Sequence, residues 1–257
     1  MIDIHSHILP GIDEGPPSME DSIELAKEAV YHGIDTIVAA PHHNSGPCMN
    51  YRKDILLQVK ALNEQLRLRK IDLTVLPGQE TRVYGDMIDG FKKGEILTIN
   101  DDTPYVFIEL PHDHVPSYIG NLLFNIQLEG YQPIIVHPER NKEIQEKPNL
   151  LYTLIKNGAY AQLSAASLVG KFGRTAKRTA LVLLQHNLAH VIGSGITKGR
   201  KFHLKEAYQV IRKQYGTEVV YNFKENTQNV IDGEILISEP PVYIKKKGLF
   251  TYMYKPV

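Results

Sequence analysis

The sequence predicts an α/β protein built on a parallel sheet that closes, or nearly closes, into a (β/α) barrel. Three observations point there. Seven short apolar strands alternate with helices, the order that right-handed crossovers between parallel strands produce. Each strand is almost continuously apolar, as expected when both faces are covered. Five successive strand ends carry a histidine or a carboxylate; an open sheet would spread these groups over two edges, whereas a barrel gathers them on one rim.

The elements follow in order. Ile2 and Ile4 are the apolar positions of a first strand, and His5 and His7, two residues apart in extended backbone, point the same way. A Gly- and Pro-rich loop runs from Ile8 to Pro17. Ser18 opens a helix with Asp21 as a capping-box-like partner. Ile23, Ala26, Ala29 and Val30 form its apolar face, and Gly33 ends it. The β-branched run Ile34 to Ala40 is a second strand stopped by Pro41. A helix over Arg52 to Arg69 follows, with Ile55, Leu56, Val59, Leu62 and Leu66 at helical spacing. Leu73 to Leu76 is the third strand, turned by Pro77-Gly78.

The alternation continues through a helix at Met87 to Lys93, a strand at Tyr105 to Leu110, a helix at Ser117 to Glu129 and a strand at Pro133 to Val136. Leu150 to Asn157 is helical and Tyr160 to Leu163 a sixth strand. A helix over Thr175 to His186, a seventh strand at Ala189 to Ile192 and a helix over His203 to Tyr215 complete the regular part. The remainder, from Val219, reads as less regular. One domain through residue 240 and a basic, aromatic tail over residues 241–257 are expected, the tail holding Lys245, Lys246, Lys247, Phe250, Tyr252 and Tyr254. That tail reads as a frayed terminus or as a contact for anionic lipid or a membrane-bound kinase.

Composition narrows the function. A chain of 257 residues, 42% hydrophobic and 23% charged, can bury a sizeable core. Lys plus Arg equals Asp plus Glu, so nothing in the net charge argues for a nucleic-acid or membrane-surface partner, and no nucleic acid is expected. The single cysteine, Cys48, excludes an internal disulfide and suits a reducing compartment. No signal-peptide pattern opens the sequence and no apolar run reaches the ~20 residues of a membrane span. A cytoplasmic protein is expected.

The strand ends carry the chemistry. They supply His5 and His7, then His42 and His43 after Pro41, Gln79 and Glu80, Glu109, and His137 with Glu139 and Arg140 just beyond; strand six reaches Ser164. Imidazoles and carboxylates without a thiolate suit Zn, Mn or Fe. Two or three ions fit such a set, and such clusters activate water and clamp the oxygens of a phosphoryl group. Arg140 has the planar charged fork that pairs with phosphate. Arg200 reads either as a second such fork or as a solvated loop cation. Asp13 reads as a further ligand, a general acid or a turn residue within Ile12-Asp13-Glu14-Gly15.

These residues resemble a known family. IDIHSHILPGIDEGPPS at the start, then IVAAPHHN, LPGQE, FIEL and IIVHPER resemble the polymerase and histidinol phosphatase (PHP) superfamily, from Met1 to about Leu236. Within it the chain is similar to the bacterial manganese-dependent protein-tyrosine phosphatases of capsule and exopolysaccharide loci. The resemblance implies a distorted seven-stranded barrel of PHP type, up to three metal ions, and hydrolysis of phosphotyrosine on a membrane-associated tyrosine autokinase that regulates polysaccharide export. It implies that His5, His7 and Glu80 hold one metal, and that Glu80 bridges to a second held by Glu109 and His137. His42 would hold the third with Asp13 or Glu14. It further implies that Arg140 and Arg200 bind the phosphate, that His43 lies behind the ligands or touches substrate, and that no cysteine nucleophile is needed.

One departure stands out. The family carries Ser-Asp-x-His after strand seven, completing the first and third metal sites; here the chain reads Gly193-Ser194-Gly195-Ile196-Thr197. Gly195 has no donor and the Thr197 hydroxyl is a poor substitute for imidazole, so the first and third sites are expected to be weakened. His203 is a nearby imidazole but also falls at a helix start. Two other readings follow: a degraded relative with weak or no turnover, and a small-molecule phosphatase of histidinol-phosphatase type. Oligomeric state, a homo-oligomer included, is left open.

Overall fold

The computed structural model describes residues 1–245. β1 (Ile2–Ser6) leads to α1 (Met19–Tyr31). Ser18 caps that helix by accepting from the Asp21 amide while its hydroxyl donates to the Asp21 carboxylate at 2.6 Å. β2 (Thr36–Ala39) bends at Pro41 into β3 (His42–Ser45), which forms a hairpin with β4 (Cys48–Met49). After α2 (Arg52–Leu68), β5 (Thr74–Pro77) bends at Gly78 into β6 (Glu80–Arg82). Then come α3 (Met87–Lys92), β7 (Tyr105–Glu109), α4 (Ile119–Leu128), β8 (Gln132–Val136) and a 3-10 turn at Pro138–Arg140. The rest is α5 (Lys142–Glu146), α6 (Asn149–Lys156), β9 (Tyr160–Ser164), α7 (Ala165–Leu168), α8 (Gly173–Gln185), β10 (Val191–Gly193), α9 (Leu204–Tyr215) and α10 (Thr217–Asp232).

The strands form two sheets, ordered β1-β2-β5 and β10-β9-β8-β7-β6-β3-β4. All pairs are parallel except the β3–β4 hairpin. Two chain segments belong to both sheets, because β2 continues into β3 and β5 into β6. The ladder is therefore not one closed ring among the described residues. Its far edges still meet at the carboxyl end: the Gly195 amide donates to His5 O and the His7 amide to Ile196 O, both at 2.9 Å. Asp3, fully buried, accepts from the Ser194 amide at 2.8 Å and from its hydroxyl, clasping β1 to the end of β10. Gly193 is required there, since a Cβ would lie 2.6 Å from that of His5. The parallel α/β architecture expected from the sequence is present, with its two edges drawn together at the carboxyl end.

Two apolar clusters build the core. The larger one lies between the strands and the outer helices. The smaller is interior: Val38, Phe107, Ile134, Val136 and Val191 from facing strands pack with Val230, Ile231 and Leu236. α10 thus contributes to the interior, whereas the sequence reading takes the chain from Val219 onward as less regular. The helical pattern of Val220, Phe223, Thr227 and Val230 is diluted by a buried Asn226. That side chain is satisfied by His190 O and by both backbone groups of Ile237. Residues 242–244 rest against the body through Val242 N to His186 O and a reciprocal pair between Asn149 and the Ile244 backbone. Lys246, Lys247, Phe250, Tyr252 and Tyr254, the greater part of the expected tail contact, lie outside the described residues. No described helix is long and apolar enough to cross a membrane.

His190 ends the approach to β10. Its Nδ1 accepts from the Ala161 amide at 3.1 Å, and burial pushes its pKa down from 6.5 to about 4. The unfolded imidazole gains its proton first as pH falls, so stability drops between the unfolded and folded values. At about pH 5, the protein should be roughly 2 kcal/mol less stable than at about pH 7.5 on this account alone. Urea unfolding at the two pH values should show a smaller acid loss for His190→Gln than for the wild-type chain.

Candidate metal centre

The bulge in β1 and the bends at Pro41 and Gly78 bring the strand ends to one place. Glu80, at the start of β6, is the centre: it is 1% exposed, yet its carboxylate faces four imidazoles. His137 Nε2 stands 2.7 Å from Oε1, while His5 Nε2, His42 Nδ1 and His7 Nε2 stand 3.0, 3.4 and 3.5 Å from Oε2. Burial alone would raise the Glu80 pKa, but the charges of His5 and His137 outweigh it and hold the carboxyl well below its usual range.

The imidazoles are aimed by outer partners. His5 Nδ1 donates to Gln162 Oε1 at 3.1 Å and its ring stacks on Phe107, which leaves Nε2 facing Glu80. His7 Nδ1 donates to Asp13 Oδ2 at 2.7 Å. Such partners fix tautomer and ring orientation in ligand histidines. His137 is swung inward by a left-handed backbone, φ 37° and ψ 48°.

The acidic pair divides its work. The Asp13 carboxylate is buried and occupied, accepting from His7 Nδ1, from the Gly15 amide at 2.9 Å and from the His42 amide at 3.2 Å. It is set behind His7 and is not among the residues that line the cavity. Gly15 permits this turn, because a Cβ would meet His7 O at 2.3 Å. Glu14 instead reaches outward, its Oε1 3.2 Å from His42 Nε2. The hydrogen bond to His42 outweighs partial burial and lowers the Glu14 pKa to about 2.

Glu109 lies at the end of β7, its Oε2 3.5 Å from His42 Nδ1. Arg82 grips both its oxygens, Nη2 to Oε1 at 2.8 Å and Nε to Oε2 at 3.0 Å. Sequence reasoning missed Arg82, although its spacing from Glu80 in a strand places both on one face. His43 is buried against the edge of Tyr51 and does not line the cavity. Glu139 is buried too, its Oε1 accepting from the Ser164 amide at 3.0 Å; burial pushes its pKa up. His203 stands at the α9 N-cap, away from the cavity lining.

The cavity above Glu80 holds about 100 Å³. Arg140 and Arg200 line it, and so do Gly195 and Thr197, the former adding no donor atom. Three sets of ligand atoms, His5–His7–Glu80, His7–Glu14–His42 and His42–Glu80–Glu109, each fall within 4.8 Å of one another. The donor set fits a divalent metal. His42 Nδ1 is buried without a hydrogen-bond partner among the described residues, although two carboxylates are near it. Burial would lower the pKa of His7 and His42, yet the surrounding carboxylates raise them to about 9 and about 11.

A family model described as capsular polysaccharide synthesis, CpsB/CapC, matches residues 1–232. Tyrosine-protein phosphatase YwqE of Bacillus subtilis is 43% identical over 254 residues, covering 98% of this chain and 100% of the relative. Tyrosine-protein phosphatase CpsB of Streptococcus pneumoniae is 30% identical over 247 residues, 92% of this chain and 100% of the relative. A solved structure from a study of YwqE and CpsB from those two organisms, described as metal-dependent tyrosine phosphatases, superposes with a TM-score of 0.92 at 43% identity. It covers 96% of this chain and 100% of that one.

Proposed function

Because the chain belongs to the CpsB/CapC family of capsular polysaccharide synthesis, we propose that it is a metal-dependent protein-tyrosine phosphatase acting on a tyrosine kinase of polysaccharide export. The relatives described above are named tyrosine-protein phosphatases, which supports the reaction class. The observation that carries the reading is the buried Glu80 carboxylate ringed by four imidazoles beneath a cavity walled by two arginines.

His5, His7 and Glu80 would hold one ion, Glu14 and His42 a second with His7, and Glu80 and Glu109 a third with His42, with His137 adding a nitrogen on Glu80's other oxygen. We take manganese as the ion, since the donors are hard to borderline nitrogen and oxygen. When bound, such ions supply Lewis-acid charge that activates water and neutralises phosphoryl oxygens. Arg140 and Arg200 offer forked donors to the equatorial oxygens and stabilise charge as the phosphorus–oxygen bond breaks. Gln162 and Asp13 keep His5 and His7 in the tautomers that face the site. A cavity of about 100 Å³ takes the phosphoryl group and leaves the tyrosine ring at its mouth. Phenolate is a good leaving group, its conjugate acid near pKa ~10, so a strong general acid is not required.

The test is phosphate release from a phosphotyrosine peptide, a phosphoserine peptide and histidinol phosphate, each with manganese and with EDTA. The phosphotyrosine peptide should be preferred by ~10-fold or more, and EDTA should cost ~100-fold or more. Preference for histidinol phosphate, or indifference to EDTA, would refute the reading.

A further inference from the structure

Arg140 and Arg200 come to the cavity from distant parts of the chain, one from the turn after β8 and the other from the loop before α9. Among the described residues neither guanidinium meets a carboxylate within 4.0 Å or donates a hydrogen bond; the ion pairs and side-chain bonds lie elsewhere. What the two share is one aromatic ring. The guanidinium carbon of Arg140 lies 4.4 Å from the centroid of Phe172, and that of Arg200 lies 5.3 Å from it.

Phe172 stands at the N-cap of α8, half-buried, between Gly170 and Gly173. Both glycines have left-handed backbone, φ +89° and +90°, so the chain turns sharply on either side of the ring.

We propose that Phe172 is the positioning residue of the anion site, holding both Arg140 and Arg200 against one ring without neutralising them. The face of an aromatic ring attracts cations through its quadrupole but carries no net charge. A carboxylate in its place would cancel the charge a phosphoryl group needs and would repel that group. An aliphatic side chain would leave two like charges free to separate into solvent. The ring thus does what neither alternative can: it orders two guanidiniums and leaves their forks available. The inference deepens the phosphatase reading and rests on it.

The experiment compares wild-type protein with Phe172→Leu and Phe172→Tyr in the presence of manganese. The readouts are the Kd for inorganic phosphate by calorimetry, and KM and kcat on a phosphotyrosine peptide. Phe172→Leu should weaken phosphate binding and raise KM by about tenfold, with a smaller change in kcat. Phe172→Tyr, which keeps the ring, should stay within about twofold of wild type in both. Unfolding midpoints distinguish lost positioning from lost fold, and Phe172→Met replaces the leucine variant if the latter does not fold. A leucine variant that binds phosphate as wild type does, a tyrosine variant no better than leucine, or wild-type protein that binds no phosphate overturns the proposal. Wild-type protein that binds phosphate but does not hydrolyse the peptide removes the phosphatase reading instead, and the phosphate affinities of the variants then still decide the role of Phe172.

Discussion

Replacing Glu80 by glutamine should lower kcat by about a thousandfold or more while leaving the protein folded. Glutamine keeps the volume of the buried side chain and one carbonyl oxygen, so packing around β6 changes little. It removes the single charge on which His5, His7, His42 and His137 converge. Two of the three ligand sets contain Glu80, so its loss weakens both, and the four imidazoles lose their common counter-charge. Loss of a partner one shell further out already costs ~10–100-fold. Kinetic assay together with metal content by mass spectrometry checks the expectation. A variant with near-native turnover and unchanged metal content would mean that Glu80 is a structural carboxylate and that the ions bind elsewhere.

The second large effect is a gain. Gly195→Asp combined with Thr197→His should raise manganese affinity by ~10–100-fold, read by competition against a fluorescent chelator. The backbone is prepared for it. Gly195 has φ +57°, a conformation that aspartate tolerates better than most side chains, and nothing lies within 4 Å of a Cβ built there. Its amide stays tethered to His5 O, so the added carboxylate would enter the cavity beside His5 and His7. The left-handed backbone sets a cost of ~1 kcal/mol or less for aspartate, small beside the expected gain. Unchanged affinity and stoichiometry would show that the donors already present on the other strands suffice. A rise in affinity accompanied by faster turnover would place the limit on activity in metal retention.

The ligand candidates were legible because polar groups are conspicuous at the ends of apolar strands. His5, His7, His42, Glu80, Glu109 and His137 all meet around one point, from β1, β3, β6, β7 and the end of β8. Local spacing does not report where a turn throws a side chain. Asp13 and Glu14 are adjacent and equally acidic, yet Asp13 closes a turn onto the Gly15 amide and is drawn under His7, while Glu14 is left to reach His42. The supporting parts were illegible for another reason. Gln162 and Phe172 act on partners supplied by other strands or loops and nothing in their own neighbourhood marks them, while Arg82 is marked only by its two-residue spacing from Glu80. α10 escaped because its buried face contains an asparagine that is satisfied only by the folded chain around it.

The clasp between Asp3 and Ser194 joins residues 191 positions apart. It sets an order of events during synthesis on the ribosome. The segment bearing His5 and His7 emerges long before the segment that pins it, and until then those imidazoles have neither a fixed direction nor a wall behind them. The outer partner of His5, Gln162, is also translated late. A nascent chain therefore exposes metal-seeking side chains without the geometry that selects among metals, and abundant tight-binding ions compete on affinity alone. Selection by geometry begins only when the last strand docks, so any ion the site takes up would be chosen by the finished arrangement rather than by the loose imidazoles of the growing chain.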